Sequence, residues 1–154
     1  MSEMSETSET SEMSERRTGE TPIYRLEDVS RTYGAGDAVI HALDGVSVDI
    51  APGELVAITG ASGSGKSTML QLLGGLDRPT SGTIEFEGRE MSRLGDEALT
   101  RLRLERIGFV FQQFNLIPTL SAQENVEVAI APTGVPAPAR LARARALLVR
   151  VGRG

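Results

Sequence analysis

An α/β fold built around a phosphate-binding loop is what this sequence predicts, on three observations. Gly60-Ala61-Ser62-Gly63-Ser64-Gly65-Lys66-Ser67-Thr68 fits the pattern G-x-x-x-x-G-K-[ST]. Before it, Leu55-Val56-Ala57-Ile58-Thr59 is a short apolar run rich in β-branched residues, the pattern of a buried parallel strand. After it, Met69-Leu70-Gln71-Leu72-Leu73 is made of strong helix formers. Strand, glycine loop and helix in that order serve one chemistry. Glycine lets the backbone take positive φ and approach a phosphate closely. Successive N–H groups then form an anion-binding nest at the positive end of a helix. Lys66 is expected to reach the β- and γ-phosphates and the Ser67 hydroxyl to hold Mg²⁺. The competing reading is a Gly/Ser-rich turn with a solvated lysine. Against it, 15 of the 16 basic residues are arginine, and Lys66 is the one lysine. A compact ammonium suits a phosphate cradle better than a planar guanidinium fork.

Composition bounds the rest. The chain has 154 residues, enough for one domain with a core. No apolar run is long enough to span a bilayer, and the N-terminus lacks the basic and apolar regions of a secretory signal. Cysteine is absent, which removes disulfides and thiolate metal sites. The cytoplasm is the default expectation. Residues 1–15 repeat Ser-Glu-X and hold five of the 21 acidic residues and no basic one. Residues 1–20 are therefore expected to form a disordered acidic tail, and 21–154 the domain. A solvated tail is the plain reading of the repeat, and a phosphorylatable arm the functional one. The remaining 16 acidic and 16 basic residues balance, so charge gives no case for nucleic acid.

Taken in order, Ile23 to Val29 reads as a first strand, followed by Tyr33 and a glycine-containing loop. Val46, Val48 and Ile50 alternate with Ser47 and Asp49, a half-buried antiparallel strand. Ala51-Pro52-Gly53 is a turn. The helix after the glycine loop is expected to end at Gly74-Gly75. Ile84 and Phe86 alternate with Glu85 and Glu87, a second antiparallel strand closed at Gly88. Asp96 is a candidate cap for a helix to about Arg106, with Leu99 and Leu102 inward. Ile107 to Phe111 is a second candidate buried strand, ended by Gln112-Gln113. Phe114 to Asn125 reads as a mixed loop, and Pro132, Pro136 and Pro138 break up the stretch after it. Leu141 to Val151 carries Leu141, Ala144, Leu148 and Val151 at helical spacing. His41, the one histidine, reads as a surface residue.

Three stretches together resemble the ATP-binding subunits of ABC transporters, nearest the branch serving lipoprotein-release and macrolide-export permeases. They are Gly60 to Thr68, Leu73 to Gly82 (LGGLDRPTSG), and Gly108 to Pro118 (GFVFQQFNLIP), with Leu120 to Val126 extending the match. The resemblance implies a P-loop NTPase, a RecA-like core with an antiparallel β subdomain, of which the C-terminal half is not in this sequence. It implies ATP and Mg²⁺ as ligands. It makes Tyr33 the ring that stacks on adenine, Lys66 and Gln112 the catalytic pair, and Gln112 a second Mg²⁺ contact beside Ser67. For Tyr33, packing on the sheet is the competing reading; for Gln112, a polar strand end. The loop from Phe114 to Glu124 would sense a membrane permease, a second ATP-binding subunit would complete a dimer, and the location would be the inner face of the cell membrane.

Other family elements do not occur in these 154 residues: no Leu-Ser-Gly-Gly-Gln signature, no apolar run ending in Asp-Glu, and no switch histidine at the family's position. The chain alone is therefore expected to bind ATP without hydrolysing it, since a missing general base costs roughly 10²–10⁴ in rate. A non-catalytic nucleotide-binding module or partner subunit is the alternative. A small-molecule kinase with Arg140, Arg143 and Arg145 as a lid is a third reading, disfavoured because those arginines sit on a helix pattern. With further parallel strands missing, open apolar edges are also expected to leave the chain marginally stable and prone to associate.

Overall fold

The computed structural model describes residues 21–34 and 38–152. The tail expected over residues 1–20 lies outside the described residues. The chain divides into two units between Leu99 and Thr100.

The first unit is an antiparallel sheet carrying the glycine loop and its helix. Strands β1 (Tyr24–Tyr33), β2 (Ile40–Ile50), β3 (Ser81–Phe86) and β4 (Arg89–Glu90) lie in the order β2-β1-β3-β4. Tyr24 pairs with Ile50 on one side and Phe86 on the other. Both antiparallel strands expected from the alternation at 46–50 and 84–86 are present. β1 and β2 run longer than their apolar patterns, because their ends Arg31–Tyr33 and Ile40–Leu43 pair with each other. β1 carries an irregularity at Asp28, which takes φ 48° while its N–H donates to Ser47 Oγ at 3.0 Å.

Helix α1 (Lys66–Leu73) ends as expected, with Gly74 as its cap and Gly75 at φ 61°. Leu26, Val29, Leu72, Ile84, Phe86, Met91 and Leu99 form the buried apolar set of this unit, together with Leu43. At about 25 cal/mol per Å², each such side chain contributes roughly 1.5–3 kcal/mol. Tyr24 adds a ring contact with Phe86, centroids 4.7 Å apart.

Helix α2 (Asp96–Arg106) ends where expected, but Asp96 is its first residue and not its cap, the Leu99 N–H donating to the Gly95 carbonyl at 3.0 Å; Leu99 and Leu102 are buried. Acidic residues occupy its first turn and Arg103 and Arg106 its last, complementing the helix dipole. The second unit then holds α3 (Ala122–Ile130) and α4 (Ala137–Arg150). Here the sequence reading needs correction. The segment expected to be loop through Asn125 turns helical at Ala122, because Ser121 and Glu124 form a reciprocal capping box. α4 begins four residues before the expected Leu141, because a proline in the first helical turn gives up no intrahelical hydrogen bond. Ala144 is buried, whereas Val151, expected as the last helical residue, lies just past the helix end and is exposed.

The two expected buried strands differ most. Leu55–Thr59 and Ile107–Phe111 join no sheet among the described residues. Leu55 is 98% and Val110 101% exposed. A parallel strand is buried only when neighbours flank it and helices cover both faces, and the described sheet draws its strands from elsewhere. Phe109 and Phe111 still stack at 5.6 Å, as alternate residues along an extended segment can. Among the described residues no helix is long and apolar enough to cross a membrane.

Candidate phosphate-binding site

The glycine loop spans the gap between the extended segment 55–59 and α1, and its glycines take the conformations the loop requires. Gly60, Gly63 and Gly65 have φ 148°, 81° and 84°. Gly65 is the N-cap of α1, and its capping position is filled by backbone alone. It also sits hard against β2. A Cβ there would overlap the Ala42 carbonyl oxygen and lie 3.0 Å from Leu43 Cδ2. Glycine at this position therefore does two jobs, left-handed backbone and close approach.

The first turn of α1 contains no acidic residue. The positive end of the helix is thus not neutralised by its own side chains, which is the electrostatic requirement for an anion. Lys66, the first helical residue, folds back over the loop. Its Nζ donates to the Gly60 carbonyl at 2.9 Å, the Ala61 carbonyl at 2.6 Å and Ser64 Oγ at 3.4 Å. The ammonium is held on the same loop that supplies the backbone N–H groups. Ser67 is exposed in this turn, and Ser62 is exposed at the crest of the loop.

Tyr33, the last residue of β1, is half-buried and fixed by polar contacts. Its hydroxyl donates to Asp77 Oδ2 at 2.8 Å, and Arg31 Nε donates to the same oxygen at 2.9 Å. The Arg31 guanidinium carbon lies 4.4 Å from the Tyr33 ring centroid. Asp77 Oδ1 accepts from the Arg78 N–H at 2.8 Å. Partial burial pushes the Asp77 carboxyl up, but the Tyr33 hydroxyl, the Arg78 N–H and Arg31 outweigh it and hold the carboxyl below its ordinary value. The sequence reading passed over Arg31 and Asp77. Their signal was available in part, since Arg31 and Tyr33 are two apart on a strand and so share a face.

Gln112 belongs to the second unit, exposed in a bend after Phe111. Further along that unit, Asn125 was also passed over. Its Oδ1 accepts from the Ile117 N–H at 2.7 Å, and its Nδ2 donates to the carbonyls of Ile117, Leu120 and Ser121 at 3.2, 3.1 and 3.0 Å. One side chain thus closes the turn from 117 to 121. His41 is exposed on β2, as expected. Among the described residues no group of three or more His, Cys, Asp or Glu could cage a metal ion. The loop itself offers hydroxyl oxygens, Ser67 among them, which fit Mg²⁺, an ion held by one or two protein oxygens with phosphates and water completing its shell.

The ABC transporter family profile matches residues 43–154. The chain is 52% identical over 134 residues to the pyoverdine export ATP-binding/permease protein PvdT of Pseudomonas fluorescens, covering 86% of this chain and 20% of that protein. It is 48% identical over 132 residues to the macrolide export ATP-binding/permease protein MacB of Escherichia coli K12, with the same coverages. An uncharacterized ABC transporter ATP-binding protein of Thermotoga maritima is 51% identical over 132 residues, 86% of this chain and 56% of that one. The chain thus spans a fifth of the export proteins and just over half of the Thermotoga protein. Among solved structures, the dimeric post-hydrolysis state of the ATP-binding cassette MJ0796 bound to ADP and Pi superposes with TM-score 0.73 at 44% identity, covering 81% of this chain and 55% of that one. The cassette cbiO1 of Clostridium perfringens, part of a cbiONQ transporter complex, gives 0.69 at 31% identity, covering 86% and 51%. With the family matched over most of its length and the fold shared with solved cassettes, the chain belongs to the ABC transporter family and carries part of an ATP-binding domain.

Proposed function

We propose that this chain binds MgATP through Gly60–Thr68 as part of a transporter's ATP-binding subunit, and that nucleotide binding there serves to energise a membrane permease. The observation that carries the reading is the Lys66 ammonium laid on the Gly60 and Ala61 carbonyls, at the end of a helix with no acid in its first turn. In this reading the loop N–H groups and Lys66 hold the β- and γ-phosphates, and Tyr33 stacks on adenine for about 1–3 kcal/mol. Ser67 and Gln112 supply oxygen ligands to the magnesium ion, which offsets phosphate charge. Lys66 and Gln112 are the proposed catalytic residues of the complete site.

The segment from Phe114 to Glu124 is proposed to meet the permease, at the inner face of the membrane, and a second ATP-binding subunit to complete the dimer. The sequence supports a narrower role for the 154 residues by themselves. They contain no signature motif and no Asp-Glu after an apolar run, so we assign them binding without turnover.

Calorimetric titration of the chain with MgATP tests the first claim, and phosphate release the second. Lys66→Ala is expected to weaken MgATP by about tenfold or more, the worth of a charge-assisted hydrogen bond. Unchanged affinity would refute the assignment. Phosphate release above background, abolished by Lys66→Ala, would overturn the claim of binding without turnover.

A further inference from the structure

We propose that Asp77, together with Arg31, positions the Tyr33 ring for a purine base. Base recognition then depends on a carboxylate just past the far end of the phosphate-loop helix. The proposal rests on the reading of Tyr33 as the stacking ring and adds what fixes that ring.

A tyrosine at a strand end has two free side-chain torsions, and a base that stacks on it must order them. Here they are ordered already. The hydroxyl is anchored on Asp77 Oδ2, and Arg31 covers one ring face while donating to the same oxygen. The three groups form a closed set: carboxylate to hydroxyl, carboxylate to guanidinium, guanidinium to ring. Because Arg31 occupies one face, a base can stack only on the other.

Asp77 is itself placed by backbone. The Leu76 and Asp77 N–H groups both donate to the Gln71 carbonyl in the last turn of α1, at 2.8 and 3.3 Å. Thr80 stitches the same loop to β1: its N–H donates to the Ser30 carbonyl at 2.8 Å, and its hydroxyl accepts from the Thr32 N–H at 3.0 Å. The helix that opens at the phosphate loop and the strand that ends in Tyr33 are therefore joined through the loop bearing Asp77. Removing the anchor should leave the phosphate contacts intact and return the cost of ordering the ring, about two- to tenfold in affinity.

The test titrates the full chain with MgATP and with magnesium tripolyphosphate, which has the phosphates and no base. Tyr33→Ala reports the stacking reading. Tyr33→Phe keeps the ring and removes only its anchor, and Asp77→Ala removes the anchor from the other side. Both are expected to lower MgATP affinity about two- to tenfold and leave tripolyphosphate unchanged. The double variant should be no weaker than the weaker single one, because both delete one interaction. If Tyr33→Ala binds MgATP as well as the parent, the stacking reading fails and this proposal with it. If Tyr33→Ala weakens MgATP but Tyr33→Phe and Asp77→Ala do not, stacking stands and positioning is overturned. Equal losses for both ligands would also overturn it, since that pattern marks a general structural role. Tyr33→Phe, a one-atom deletion, keeps the test decisive if Asp77→Ala does not fold.

Discussion

Tyr24 Oη donates a 2.9 Å hydrogen bond to the Leu73 carbonyl, joining the first residue of β1 to the last residue of the phosphate-loop helix. Leu73 is at a helix C-terminus, where carbonyls lack intrahelical donors. The hydroxyl fills that need, and the ring packs on Phe86. Burial, and secondarily the charge of Glu87, push the Tyr24 pKa from 10.0 up to about 12. The folded state therefore favours the protonated phenol. Its contribution to stability is complete below pH 10 and is lost as pH rises towards about 12. In the Tyr33→Phe variant, Tyr24 is the one tyrosine left, and its phenolate absorbance should rise with a midpoint near pH 12. A midpoint at the ordinary value of 10.0 would show that the Tyr24 hydroxyl is not buried in solution.

Gly65 and Gly63 separate two costs that a loop glycine can hide. Both have positive φ, 84° and 81°. A Cβ on Gly63 meets nothing within 4 Å, whereas one on Gly65 runs into Ala42 backbone. Gly63→Ala should cost only the left-handed strain, about 1–2 kcal/mol. Gly65→Ala should cost clearly more, because β2 or the helix start must shift, and it should also weaken MgATP. Urea unfolding of the two variants compares them directly. Equal losses would mean that the approach of Gly65 to Ala42 is not a tight one.

Asn125 makes four hydrogen bonds to the 117–121 turn. Asn125→Ala should remove about 0.5–1.5 kcal/mol of local stability, the net worth of a hydrogen bond whose exposed partners water can take over. The amide of Ile117 should lose its protection against hydrogen exchange, while amides in β1 and β3 keep theirs. Retained protection at Ile117 would show that the turn holds without the asparagine.

Much of this was legible in the sequence where the signal was local. The loop from Gly60 to Thr68, the stop at Gly74-Gly75 and the alternation at 84–86 each follow from backbone rules read within a few residues. Ser121-x-x-Glu124 is equally local, a capping-box pattern that the loop reading of Phe114 to Asn125 does not use. Arg31–Asp77 and Tyr24–Leu73 were not legible, because each joins positions more than forty residues apart and rests on side-chain direction. The strand reading of Leu55–Thr59 and Ile107–Phe111 failed for another reason. Periodicity reports a segment's taste for burial, and burial itself needs neighbouring strands that the described sheet does not place there.

That mismatch predicts the solution behaviour. Leu55, Val56 and Ile58 are exposed on one extended segment, and Val110 and Phe111 on another. Extended apolar segments with unpaired backbone are templates for strand addition. Contiguous exposed apolar surface adds to the drive. The chain alone should therefore associate as its concentration rises and melt without a sharp transition. A charge within the run opposes both effects, because strand addition would bring like charges together and desolvate them. Val110→Lys, at a fully exposed side chain, should shift sedimentation towards monomer with little effect on the folded state, since surface substitutions usually move stability by less than about 0.5 kcal/mol. A parent chain that sediments as a monomer at every concentration and melts cooperatively would contradict this, and would mean that residues 55–59 and 107–111 find cover within the chain itself.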